Sequence, residues 1–128
     1  MEPLTRAEEQ VMQALWGIER GFVKDVLEAF QRPKGQGRSP AYTTVSTIIR
    51  ILEQKGFVGH EAFGRAHRYF PKVSKEAYRT HTLERMKKDY FKGSAQSLLS
   101  HFIEKEDLSV TELDALLKLI NERKQGDR

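Results

Sequence analysis

A mainly α-helical fold carrying one small β-hairpin is what this sequence predicts, and three observations lead there. Apolar residues recur three and four positions apart through most of the chain, the spacing of helical faces. One stretch reads differently: Phe57–Ala62 and Arg65–Phe70 are two short strands around a turn at Phe63-Gly64. Finally, 128 residues with 38% hydrophobic and 31% charged side chains suffice for one domain, or for one small domain with an appendage.

The elements follow in order. Ala7, Val11, Ala14, Leu15 and Ile18 share one helical face, and Thr5 with Glu8 forms a capping box, so a first helix is expected over Thr5–Ile18. Gly21 punctuates. Phe22/Val23, Val26/Leu27 and Phe30 then predict a short second helix ending near Arg32-Pro33, followed by a flexible basic loop, Lys34-Gly35-Gln36-Gly37-Arg38. Ser39 as N-cap and Pro40 at the first helical position open a third helix, because proline lacks the N–H that would be unpaired there. It is expected to run to about Lys55 and stop at Gly56. Its inner face is Ala41, Val45, Ile48, Ile49 and Leu52; Thr43, Thr47, Arg50 and Gln54 lie opposite, flanked by Thr44 and Ser46. After the hairpin, Pro71 stops the strand and Ser74 caps a long helix with Ala77, Leu83, Met86, Tyr90 and Phe91. Gly93-Ser94 interrupts it. Leu98, Leu99, Phe102 and Ile103 mark the next helix, and Ser109 with Glu112 caps a last one, stapled by Leu108 and Leu113 and lined by Leu113, Leu116, Leu117 and Ile120.

Three short helices followed by a hairpin describe a winged helix-turn-helix, residues 1–72, ahead of a helical part, 73–128. The third helix carries the functional signal. Threonine is a poor helix former, so a stripe of Thr and Ser on an exposed face has no folding rationale. Short hydroxyls and methyls do allow close approach to phosphates and base edges, and an arginine forks onto guanine or phosphate. Charge agrees: residues 1–31 are net −3, residues 32–72 net +6, within a total of +4. Arg65, His67 and Arg68 place cations near the hairpin turn, where a wing meets phosphate or the adjoining minor groove. Double-stranded DNA is therefore the expected partner; a winged helix used only for protein contact is the alternative, and it leaves the hydroxyl stripe unexplained.

The C-terminal helices hold more Leu, Phe and Ile than some 55 residues can bury alone, so a second copy of the chain is expected to cover them. The residues assigned to that dimer are Leu83, Met86, Tyr90, Leu98, Leu99, Phe102, Leu113, Leu117 and Ile120. Other classes are excluded. No cysteine means no disulfide scaffold and no thiolate nucleophile or Cys-containing metal site, which fits a reducing cytoplasm. His60, His67, His81 and His101 have no metal-ligand spacing, and no phosphate loop or nucleophile elbow appears, so neither a cofactor nor an enzyme is expected. The N-terminus has no secretory pattern, and no apolar run approaches the roughly 18 residues of a membrane span.

Leu4-Thr5-x-Ala7-Glu8, Val23-Lys24-Asp25-Val26-Leu27, Ala41-Tyr42-Thr43-Thr44-Val45-Ser46-Thr47-Ile48-Ile49, Lys55-Gly56-Phe57-Val58, Gly64-Arg65-Ala66-His67-x-Tyr69 and Ser97-Leu98-Leu99-x-x-Phe102 together resemble the penicillinase-repressor family (BlaI/MecI/CopY type). The resemblance implies a bacterial, homodimeric winged-helix repressor on a palindromic operator, with Thr43, Thr44, Ser46 and Thr47 in its recognition-helix segment; with Tyr42, Arg50, Arg65 and His67 they make up the expected DNA-contacting set. Copper-sensing members end in a cysteine cluster, which this chain lacks. Members controlling β-lactam resistance are inactivated when a membrane sensor's signal leads to cleavage at an Asn-Phe bond in the dimerisation domain. The matching pair here is His101-Phe102, flanked by Leu98, Leu99, Glu104, Lys105, Glu106 and Asp107. The alternative role for Phe102 is a core side chain of the dimer.

Overall fold

The computed structural model describes residues 1–30, 40–105 and 108–126. Its elements are α1 (Arg6–Ile18), α2 (Val23–Glu28), α3 (Tyr42–Gln54), β1 (Val58–Phe63), β2 (Ala66–Pro71), α4 (Lys75–Phe91), α5 (Ala95–Lys105) and α6 (Val110–Gly126). Two compact units emerge, Met1–Thr82 and Leu83–Arg128.

The first unit is built on Val11, Met12 and Leu15 of α1, Val23 and Val26 of α2, Val45, Ile49 and Leu52 of α3, and Phe57, Val58 and Tyr69 of the hairpin, all buried. Thr5 caps α1 as expected: its hydroxyl accepts from the Glu8 N–H at 3.1 Å, and Glu8 Oε1 accepts from the Thr5 N–H at 2.7 Å. The buried stripe, however, is Glu8, Val11, Met12 and Leu15, and Ala7 is exposed. Glu8 turns inward because Lys55, at the far end of α3, donates to the same Oε1 at 2.8 Å. That ion pair clamps the start of α1 to the end of α3.

Burial raises the Glu8 pKa, but the Lys55 hydrogen bond, the Thr5 N–H and hydroxyl, and the Lys55 charge outweigh it, so the carboxyl is held below its ordinary value. A depressed carboxylate contributes stability that is present above its unfolded-state pKa and lost as pH falls through the folded value. Glu8→Gln should therefore cost about 1–3 kcal/mol at pH 7. The variant should also lose less stability than the unaltered chain below about pH 4.3, the ordinary glutamate value. Urea midpoints at pH 7, 5, 4 and 3 check this; parallel pH curves for the two chains would refute it.

Two helix boundaries depart from expectation. α2 stops at Glu28, where the Ala29 N–H reaches the Asp25 and Val26 carbonyls and the Phe30 N–H reaches Leu27, tightening the last turn. Arg32-Pro33 and the basic loop 34–38 lie outside the described residues. α3 starts at Tyr42, with Ala41 as an extended N-cap (φ −70°, ψ 152°) that makes no side-chain cap bond. Pro40 precedes the helix and the expected cap Ser39 lies outside the described residues. Ala41, assigned from sequence to the inner face, is exposed, since the core contact of this helix begins one turn later at Val45.

β1 and β2 pair antiparallel with Val58 opposite Pro71 and Phe63 opposite Ala66, leaving Gly64-Arg65 as a two-residue turn. Gly64 has φ +63°, the left-handed backbone at the first turn position that the type II′ pattern assigns to glycine. Gly21 adds a third edge: its N–H and carbonyl exchange hydrogen bonds of 2.9 and 2.8 Å with Tyr69. A Cβ there would sit 2.8 Å from Ile18 and 2.9 Å from Asp25, so only glycine permits this approach.

Ser74 caps α4, its hydroxyl accepting from the Ala77 N–H at 3.0 Å. The first unit includes the opening of this helix because Tyr78 packs against Trp16 (ring centroids 5.7 Å) and Phe57 (5.9 Å) and donates to Glu9 at 2.6 Å. Trp16 Nε1 donates to the Val73 carbonyl at 2.9 Å.

In the second unit Ser94 caps α5 and Ser109 caps α6, accepting from the N–H groups of Ser97 and Glu112 at 3.1 Å each. Among the described residues, α4, α5 and α6 hold no buried side chain. No described helix is long and apolar enough to cross a membrane.

Candidate nucleic-acid interface

The exposed side of α3 divides into two stripes that the helical wheel had merged. Tyr42, Ser46, Arg50 and Glu53, at i, i+4, i+8 and i+11, turn toward the hairpin and line a cleft of about 350 Å³. Phe22 and Val23 at the start of α2, and Arg65, Ala66, His67 and Tyr69 of the turn and β2, complete its walls. Thr43, Thr44 and Thr47 stand outside the cleft, exposed along the outer edge of the helix. Five of the eight residues singled out from sequence, Tyr42, Ser46, Arg50, Arg65 and His67, are thus brought to one cleft, and the three threonines form a separate ridge beside it.

The Thr47 hydroxyl donates to the Thr43 carbonyl at 2.9 Å, one turn back. What Thr47 then offers outward is its methyl group and the lone pairs of its oxygen. Ala41, the N-cap of α3, has no side chain that could accept from the first turn.

Inside the cleft, burial, followed by the negative charge of Glu53, pushes the Tyr69 pKa up, and the Arg50 charge offsets only part of this. Glu53 Oε2 in turn accepts from His60 Nδ1, and the His60 ring stacks on His67 at 4.1 Å and 8°. Sequence reasoning missed Glu53, His60 and Tyr69 as part of this site. The turn expected at Phe63-Gly64 would set His60 opposite His67; the actual register, one residue later, sets it opposite Tyr69 with His67 as its diagonal neighbour.

Arg68 needs correction. Its guanidinium donates to Glu61 across the strands at 3.1 Å and lies 4.8 Å over the Phe63 ring. That cation serves the hairpin's own packing, whereas Arg65 at the turn is exposed and lines the cleft.

The residues assigned to a partner copy present a different surface. Leu83, Met86, Tyr90, Leu99, Phe102, Leu117 and Ile120 are exposed, with Tyr90 at 79% and Ile120 at 59%; Leu98 and Leu113 are half-buried. Ile103, Val110, Leu116 and Leu119 add to the same apolar exposure. His101 and Phe102 are both exposed on α5, the His101 ring 5.6 Å from Phe91. Glu106 and Asp107 lie outside the described residues.

The sequence profile of the penicillinase repressor family matches residues 4–122. Methicillin resistance regulatory protein MecI of Staphylococcus aureus (strain N315) is 28% identical over 120 residues, 94% of each chain. Transcriptional regulator BlaI of Mycobacterium tuberculosis (strain ATCC 25618 / H37Rv) is 34% identical over 131 aligned residues, 98% of this chain and 91% of its own. The penicillinase repressor of Bacillus licheniformis is 25% identical over 121 residues, 94% of this chain and 91% of its own.

Proposed function

Because this chain belongs to the penicillinase-repressor family, whose members are transcriptional repressors and not enzymes, we propose that it represses transcription as a homodimer bound to a palindromic operator, in the cytoplasm. The observation that carries this reading is the exposed ridge of Thr43, Thr44 and Thr47 beside a cleft holding Arg50, Arg65 and His67. The ridge enters the major groove, where methyls meet thymine and hydroxyls meet base edges. Tyr42 and Ser46 meet the flanking phosphates, and Arg65 reaches backbone or minor groove from the wing. Residues 1–72 form the reading head and residues 73–128 the dimerisation part.

Two heads related by a twofold axis read two half-sites, so the operator is an inverted repeat. The apolar side chains left exposed on α4, α5 and α6 are the surface the second copy covers. Inactivation by a sensor-controlled protease fits the same layout: the His101-Phe102 bond lies in α5, which has no buried side chain of its own among the described residues and unwinds cheaply once unpartnered.

Selection from a randomised duplex pool tests the reading. An inverted repeat should be enriched, and affinity for it should fall with salt along a log–log slope of about −5 to −10, as expected when two heads each neutralise several phosphates. A pool that yields no repeat, or a slope near zero, would sink the proposal.

A further inference from the structure

The core of the first unit takes Val45, Ile49 and Leu52 from α3 and packs Ile48 against its edge. Ile51 is left outside it, 38% exposed. A β-branched apolar side chain lowers helix propensity relative to alanine or lysine, and more than a third of this one stays in water, so folding gives little reason for isoleucine here. Its place on the helix does give one. Thr44, Thr47 and Ile51, at i, i+3 and i+7, share one face of α3, the outer edge that stands clear of the cleft.

That edge is apolar in character. The Thr47 hydroxyl donates back to the Thr43 carbonyl, and Thr43, Thr44, Thr47, Ile51 and Gln54 are all uncharged and exposed. The cations Arg50 and Arg65 and the carboxylate Glu53 line the cleft on the other flank instead. A methyl-bearing strip beside cations complements a surface that is apolar at its centre and lined by phosphate at its edge, and the apolar group that base edges present in the major groove is the C5 methyl of thymine. A rise of about 1.5 Å per residue puts Ile51 roughly 6 Å beyond Thr47 along α3, far enough to meet a different base pair.

We infer that Ile51 is a specificity-determining residue: it reads the C5 methyl of a second thymine in each half-site, distinct from the thymine met by Thr47. This deepens the DNA-binding reading and rests on it.

The test titrates the full-length protein with its selected duplex and with a series in which each thymine in turn is replaced by deoxyuridine in both half-sites, which removes the methyl and keeps every base-pairing group. For the unaltered chain one such replacement should cost about fourfold in each half-site, about 15-fold in all, the worth of one buried methyl group. Ile51→Ala should bind the thymine operator at least that much more weakly, should be indifferent to uridine at that one position, and should stay sensitive to it at the thymine assigned to Thr47. Ile51→Val should keep the sensitivity, and random duplex should bind all three chains alike. Unchanged uridine sensitivity of Ile51→Ala at every thymine overturns the inference, as does equal loss on operator and random duplex, which a merely structural isoleucine would give. A selected half-site with fewer than two thymines overturns it too. So does a change in the sedimentation of Ile51→Ala, which would assign this face to a contact between copies of the chain. Operator binding without methyl sensitivity overturns this inference alone; absence of binding to any duplex overturns the DNA-binding reading with it.

Discussion

Shortening the chain after His101 should lower operator affinity by about 10²–10⁴-fold without altering a single DNA contact. Two heads joined in a dimer meet their half-sites at high effective concentration, and the shortened chain loses that advantage because α6 and the end of α5 are gone. Phe102, Leu117 and Ile120 are 48%, 58% and 59% exposed in the single chain. Removing them takes away apolar surface that the proposed second copy would cover. The head should remain folded, since its buried core, Val11 to Tyr69, and the Leu4, Val73 and Tyr78 that pack against it all precede the cut. Sedimentation should give a monomer, and titration of a single half-site should give the same affinity as for the full chain. The full-length variant Leu117→Glu should behave similarly, because a carboxylate buried against the partner is left unpaired. If the shortened chain stays dimeric and binds the whole operator undiminished, the dimer reading and the proteolytic switch at His101-Phe102 both fall.

A second large effect is expected on the threonine ridge. Thr44→Glu and Thr47→Glu place a carboxylate where the groove presents base edges lined by phosphates, so operator binding should drop to the level of random DNA, about 10³-fold or more. Arg65→Ala should weaken operator and random duplexes by similar, smaller factors, since a turn cation fixes position without reading sequence. The back-bonded Thr47 hydroxyl refines this. Thr47→Val keeps the branched methyl and should retain most of the affinity, whereas Thr47→Ala should lose recognition of a thymine. Competition titrations with operator and random duplex separate the cases. Equal loss on both duplexes for the threonine and arginine variants would end the division between ridge and wing.

Element type and order were legible because they depend on local chemistry. The Thr5/Glu8 capping box and the Ser74 cap each involve residues three positions apart, and each forms as the sequence indicates; the hairpin turn forms around Gly64 but at Gly64-Arg65, one residue later than the expected Phe63-Gly64. The apolar periodicity of α3 likewise reads directly from Val45, Ile49 and Leu52. The C-terminal helices were legible for the same reason. Their exposed leucines were equally visible, because their number exceeds what such short helices can hide.

Where two distant segments had to meet, periodicity was silent. A helical wheel sorts side chains by angle about one axis and contains no information about which neighbour occupies each angle. It therefore placed Arg50 with the threonines, although the hairpin folds against that flank and encloses Arg50 in the cleft. It could not foresee that Glu8, 47 residues before Lys55, would turn inward to meet it and displace Ala7 from the buried stripe. Nor could it bring Glu53 to His60, or set His67 on that ring. The helices, their caps and the turn were determined by the sequence itself, through short-range hydrogen bonding and the burial period. The separation of a threonine ridge from a charged cleft was decided only by the tertiary structure, because long-range ion pairs and ring stacks exist only once the hairpin and α3 are packed together.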